Sequence, residues 1–471
     1  MGSTFFYSFA LLLLAAPLYK AGNRAVPLLL LELAAIALLL ALALGHRRPA
    51  LPRSLTVALA VLLGYPLLQL LPLPDALWRV LSGHAAYGAV AERFGAPGSD
   101  YAWRAISVVP QATEYGWLAL LPPLACLAGA LALAPAQVVR LLFAMAVLTG
   151  LEGVLGLLQV GAGGDAIFYM RSTPAVGIAT GTFVNSDHFA AMLAMMLPVI
   201  VGLLVFDIRR RRHEGRRHLV SDANLLSQRV LLFAAAVLVL LGLLFTFSRG
   251  GIATALVGLA LSSLLLVRAR AGGRNTTLII GALIAVGIAL AVLIGLAPIL
   301  EKFAPGVLRL SSGERFRLYA ATLRAAVDFL PFGSGLSTFA SVFPRYQGEV
   351  FGGYIDYAHN DWLQLFMELG LAAPLIVVLL LVTYVLRTRE LLRRADGRSF
   401  TLLQIAAGIG LVPPILHGMF DFPLHMPANA MWFATLAGVM LHPGGANDAR
   451  NTGPGQDARG ARGDHRASAR E

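Results

Sequence analysis

Long apolar runs dominate this chain, broken by short connectors carrying arginine, glycine or proline. A helix needs ~20 apolar residues to cross a bilayer, and about twelve such segments are visible, at roughly 4–19, 25–45, 54–72, 114–134, 138–160, 187–207, 230–247, 250–267, 276–298, 361–386, 400–420 and 424–441. No backbone polar group in lipid can go unpaired, so the pattern predicts an all-α polytopic membrane protein. One polar stretch interrupts it, residues 299–360, between the ninth and tenth segments. Ser311 and Glu314 have the spacing of a capping box, and Phe316, Tyr319, Leu323, Ala326, Val327 and Leu330 recur at helical intervals. An amphipathic helix is therefore expected from Ser311 to Leu330, ended by Pro331 and the Gly333-Ser334-Gly335 turn. The stretch closes on Ala358-His359-Asn360-Asp361, where the next apolar helix begins.

Composition agrees. The chain is 58% hydrophobic and 13% charged, against about 25% charged for a soluble domain. Net charge is +12. The arginines sit in short connectors, which fits orientation in a membrane rather than a nucleic-acid surface. With the N-terminus in the cytoplasm, the arginine-rich connectors at 47–53, 209–217, 268–274 and 387–398 all become cytoplasmic. The outer face then owns residues 73–113, 161–186 and 299–360, with Trp78, Tyr87, Tyr101 and Trp103 expected at the membrane interface. Residues 1–443 form the membrane unit, and 444–471 read as a disordered basic cytoplasmic tail. Met1 to Tyr7 lacks the positive start of a cleavable signal peptide. The single cysteine, Cys126, lies in an apolar segment and excludes a disulfide framework.

Candidate chemistry gathers at the ends of segments. Arg249, in Thr246-Phe247-Ser248-Arg249-Gly250-Gly251, either snorkels to headgroups or holds an anion, with the paired glycines admitting the ligand closely. Arg315 and Arg317 lie two positions apart, so at most one of them faces a given site. Arg324 belongs to the surface stripe. His359 precedes a helix N-terminus whose free N–H groups suit an anion, and it is a base near neutral pH. Asn360 or Asp361 caps that helix. Glu368 and Gln364 follow on the same helix, and Glu368 either pairs with an arginine or touches substrate. Asn185, Asp187 and His188 open the sixth segment as a cap or as part of a site. His417, Asp421 and His425 flank the last turn, Asp421 pairing with a helix end. His, Asp and Glu are spread too widely to spell a metal motif, and no phosphate-binding glycine loop is present.

Three pieces, TFSRGG at 246–251, ERFRLYAATLRAAVDFLPFGSGLSTF at 314–339 and YAHNDWLQLFMELGL at 357–371, resemble in order and spacing the O-antigen ligase and Wzy-type polymerase superfamily. GTFVNSDHFAAML and HGMFDFPLHMPANA are similar to further segments of it, so the resemblance spans roughly 180–440. It implies transfer of a glycan from an undecaprenyl-diphosphate carrier at the periplasmic face of the bacterial inner membrane, without metal or cofactor. The acceptor would be lipid A–core or a second lipid-linked glycan. It also implies that Arg249 and Arg315 hold the diphosphate and that His359 serves the acceptor, with Arg317, Asn360, His188 and Glu368 as further candidate contacts. Tyr319 stands where many members carry Trp. The competing expectation is a transporter of a small anion such as bicarbonate, which would keep its polar residues near the membrane midplane.

Overall fold

The computed structural model describes residues 2–45, 51–88, 102–162, 177–214, 222–268, 273–294, 305–348, 353–394 and 399–444. The expected tail at 444–471 and the interface position Tyr101 lie almost wholly outside them. The chain is overwhelmingly helical, and among the described residues seven helices are long and apolar enough to cross a membrane.

In order the described helices of six residues or more are α1 (Ser3–Ala15), α2 (Ala25–Leu44), α3 (Arg53–Gln69), the short α4 (Asp75–Val80), α5 (Pro110–Leu118), α6 (Leu121–Ala132), α7 (Pro135–Gly161), α8 (Ser186–Glu214), α9 (Asp222–Phe245), α10 (Arg249–Arg268), α11 (Gly273–Ile294), α12 (Pro305–Asp328), α13 (Asp361–Leu369), α14 (Ala372–Arg394), α15 (Ser399–His417) and α16 (Pro427–Leu441). A helix covers each apolar segment read from the sequence. Two segments are broken: 114–134 between α5 and α6, and 361–386 at Gly370, whose φ of +56° ends α13. One two-stranded ribbon, β1 (Pro72–Pro74) against β2 (Trp103–Ala105), was not foreseen.

Helix α8 is the centre. It packs against α15, α10 and α9, and its span is 94% buried, whereas α2, equal in mean hydropathy at 2.6, is 22% buried. Hydropathy drives both out of water; it does not say which one protein covers. Small residues let α8 and its neighbours approach closely: a side chain on Gly202 would meet the Ala406 Cβ at 2.3 Å.

The amphipathic helix begins earlier than the capping-box spacing indicates. Pro305 starts α12, as its fixed φ permits at a first helical position, so Ser311 is already inside the helix. Its far end forms a second core with the turn that follows, through Leu318, Ala325, Phe329, Phe339, Phe343 and Met367. Backbone bonds fasten this core to the break at Gly370: Ser334 N–H to the Met367 carbonyl, Gly335 N–H to Glu368 and Leu371 N–H to Pro331, each at 3.0 Å. Gln69 from α3 donates to the carbonyls of both Phe332 and Glu368 at 2.9 Å.

Candidate functional site

The starts of α8, α10 and α13, the end of α15 and the turn before α16 meet at the end of the bundle that carries α12. Asp421, in that turn, is the hub. It is 1% exposed, and its Oδ1 lies 3.0 Å from His359 Nδ1. Its Oδ2 lies 3.9 Å from His188 Nε2. Burial alone would push its carboxyl up, but the His359 hydrogen bond and the charges of His188, His417 and His359 outweigh that and hold it below the usual carboxylate range. His359 is turned outward from this hub, its side chain 37% exposed.

The backbone at His359 is left-handed, φ +49°, a region that histidine visits more readily than most residues. It is held there by Tyr319 of α12, whose hydroxyl donates to the His359 carbonyl at 2.9 Å. Burial raises the Tyr319 phenol, and the nearby Arg315 partly opposes this, so the hydroxyl stays a donor and Arg315 lies within electrostatic reach of it. Arg315 is half-buried, while Arg317 is exposed, as expected of positions two apart. Exposed Phe316 beside Tyr319, with exposed Met419 and Phe420 in the turn after α15, gives this corner an apolar rim.

Arg249 opens α10 and is half-buried. The preceding Ser248 hydroxyl donates to Asp187 Oδ1, and Asp187, His417 and Asp421 place ligand-capable atoms within 4.8 Å of one another. The Arg249 turn and His359 thus each bond one of two neighbouring carboxylates, Asp187 and Asp421. The glycines after Arg249 have another use than admitting a ligand. A Cβ on Gly250 would meet His417 Nε2 at 2.7 Å, and one on Gly251 the Ala190 Cβ at 2.4 Å, so they seat α10 against α15 and α8.

Two expected contacts are already engaged elsewhere. Asn360 caps α13, accepting from the N–H groups of Trp362 and Leu363 and donating to the Met419 carbonyl. The Asp361 N–H goes to the Gly418 carbonyl at 2.8 Å. The first N–H groups of α13 are therefore satisfied by protein, and the helix end is not the open anion site its position implies. Glu368 is 1% exposed and accepts from the Ser337 and Phe339 N–H groups and from Gln364. Among the described residues it pairs with no arginine; it holds the 335–339 turn.

Three features escaped sequence reasoning. Phe422 is the aromatic hub, stacked on Tyr357 with centroids 4.1 Å apart and in edge contact with His188 and His359. Asp361 binds His425 at 2.6 Å. Arg24, exposed after α1, brings a further cation within reach of Tyr357. Nothing in the sequence flags the first two, because the partners are sixty or more residues apart; the Lys20 to Arg24 connector was short and basic, and could have been noted.

Residues 234–378 match the family profile described as O-antigen ligase. That stretch contains Arg249, Arg315, Tyr319 and His359; Asp187, His188, His417 and Asp421 lie outside it. No curated protein matches the chain.

Proposed function

We propose that this chain, which over residues 234–378 matches the O-antigen ligase family, transfers a glycan from a polyprenyl diphosphate to an acceptor hydroxyl at the periplasmic face of the bacterial inner membrane. The observation that supports this most is the outward-facing His359, held by buried Asp421 and by Tyr319, with Arg315 within electrostatic reach of that tyrosine and the Arg249 turn bonded to neighbouring Asp187, beside an apolar rim. Arginine forks bind phosphate oxygens bidentately. The rim formed by Phe316, Met419 and Phe420 suits the first isoprene units of a lipid carrier.

In the reaction, the anomeric carbon's bond to the diphosphate oxygen breaks and a bond to the acceptor oxygen forms, inverting the centre. Arg249 and Arg315 offset the charge that develops on the departing diphosphate. The acceptor's proton passes to His359 Nε2, since Nδ1 faces Asp421. Asp421 fixes that tautomer and the ring's direction and favours the protonated imidazole formed on transfer. Residues 1–443 act as one catalytic unit with about twelve spans. Orientation rests on the opposite end, where Arg387 and Arg394 flank Glu390 and Arg229 pairs with Asp207, as expected of a cytoplasmic side.

The test is reconstitution. The purified protein in a bilayer receives a lipid-linked oligosaccharide with either lipid A–core or more of the same donor as acceptor. Glycan on lipid A–core marks a ligase and dimerised glycan a polymerase. No transfer to either, from protein that is folded and binds donor, would refute the proposal.

A further inference from the structure

The glycan-transfer reading uses one oxygen of Asp421 and leaves most of the polar cluster beneath it without a task. That cluster comes from three places: Asp187 and His188 at the start of α8, His417 at the end of α15, and Asp421 in the turn beyond. The ligand-capable atoms of Asp187, His417 and Asp421 lie within 4.8 Å of one another, and His188 Nε2 is 3.9 Å from Asp421 Oδ2.

Three of these atoms, His188 Nε2, His417 Nδ1 and Asp421 Oδ2, have no hydrogen-bond partner among the described residues. Their residues are 4%, 2% and 1% exposed. A buried polar atom without a partner is destabilising by about 1–3 kcal/mol, and most buried polar groups in folded proteins are satisfied. These three, two imidazole nitrogens and one carboxylate oxygen beside Asp187, share one remedy, a positive centre among them.

We infer that Asp187, His417 and Asp421, joined by His188, form a binding site for one divalent transition-metal cation. Mixed imidazole and carboxylate donors suit Zn²⁺ or Mn²⁺, whereas Mg²⁺ and Ca²⁺ favour oxygen alone. Two carboxylates balance the charge of a divalent ion with both imidazoles neutral. Donors around a tetrahedral zinc lie about 3.3 Å apart, so the cluster needs to tighten by up to about 1.5 Å, within side-chain reach. Asp187 would present Oδ2, its Oδ1 being engaged by Ser248.

The cation lies behind the reaction. Asp421 would bridge it through Oδ2 while Oδ1 holds His359, so the ion ties α8 and α15 to the carboxylate that aims the histidine. No bond to the glycan or the diphosphate runs through it. The inference therefore goes beyond glycan transfer, and metal content decides it without any activity assay.

The experiment uses the full-length protein, purified in detergent, stripped with a chelator, dialysed and then given Zn²⁺ or Mn²⁺ separately. Bound metal per chain is measured by elemental mass spectrometry, and unfolding temperature is followed alongside. The expected result is about one equivalent of Zn²⁺ or Mn²⁺ with a raised unfolding temperature, as ligand linkage requires. Asp187→Asn and His417→Gln should each lose most of that metal, and Asp328→Asn, an exposed carboxylate bonded to Tyr346 and outside the cluster, should keep it. Wild-type protein that takes up neither ion would overturn the inference. So would metal retained in full by both cluster variants. The wild-type measurement decides even where a variant fails to fold.

Discussion

His359 is supported on three sides: Asp421 bonds its ring, Tyr319 its carbonyl, and Phe422 packs its edge. A residue in a left-handed conformation persists only when its surroundings impose it. Tyr319→Phe should therefore slow transfer several-fold while donor affinity holds, with a loss of about 1 kcal/mol for the missing bond. In a His359→Ala background the same change should have little further effect, because its action runs through the histidine; equal effects in both backgrounds would mean that Tyr319 acts on something else. His359→Ala alone should spare donor binding and slow transfer by ~10²–10⁴-fold, the usual range for a lost general base. Arg249→Lys and Arg315→Lys should weaken donor binding and keep some transfer, since charge survives and the fork does not. Alanine at either should leave almost none. Donor affinity and single-turnover rate, at matched folded protein, distinguish these cases, and normal transfer by both alanine variants would put the diphosphate elsewhere. Tyr319 was legible only as an aromatic substitute; its hydroxyl matters because of a carbonyl forty residues away, which no local pattern records.

At the level of elements, the sequence was most informative where periodicity was long. Most apolar segments became a single helix. Helix α12 is amphipathic, but not on the expected stripe: Leu318, Ala325, Ala326 and Phe329 are buried, whereas Phe316, Leu323 and Val327 are exposed together with Arg317 and Arg324. It was least informative at starts and breaks. Ser311 and Glu314 carry the spacing of a start, but Pro305 is a better one and the helix is already running. Gly370 looked like one glycine in an apolar run, and it divides α13 from α14 because the backbone of residues 331–335 crosses there: a Cβ on Gly333 would meet the Glu368 carbonyl oxygen at 2.3 Å. Gly250 and Gly251 looked like room for a ligand and are room for helices. Gly251→Ala should therefore destabilise the protein by about 1–3 kcal/mol through overpacking on Ala190, visible as a lower unfolding temperature in detergent. Gly250→Ala should press on His417 and reduce transfer as well. Unchanged stability in Gly251→Ala would mean that α10 and α8 pack less closely than described.

Across the whole molecule, polarity separates the two ends of the bundle. One end gathers Asp187, His359, Asp421 and α12; the other gathers Arg387, Arg394, the Arg387 bonds to the Met440 and His442 carbonyls, and the His442 bond to Leu133. A cysteine replacing exposed Arg345 should react with an impermeant thiol reagent on cells whose outer membrane is permeabilised, and one at Glu214 should not. Cys126 is fully buried, so the wild-type thiol gives a silent background. Labelling at 214 alone would invert the orientation. The assembly of the site from distant segments has a consequence for how the protein is made. At about 5–20 residues per second, Asp187 leaves the ribosome tens of seconds before Asp421 does. During that interval α8 enters the bilayer with its carboxylate answered only by Ser248, once that residue has followed. A nascent chain arrested before the final turn would already hold both arginines and His359, yet it would have no hub to aim them, so the enzyme should stay silent until its last helices are inserted.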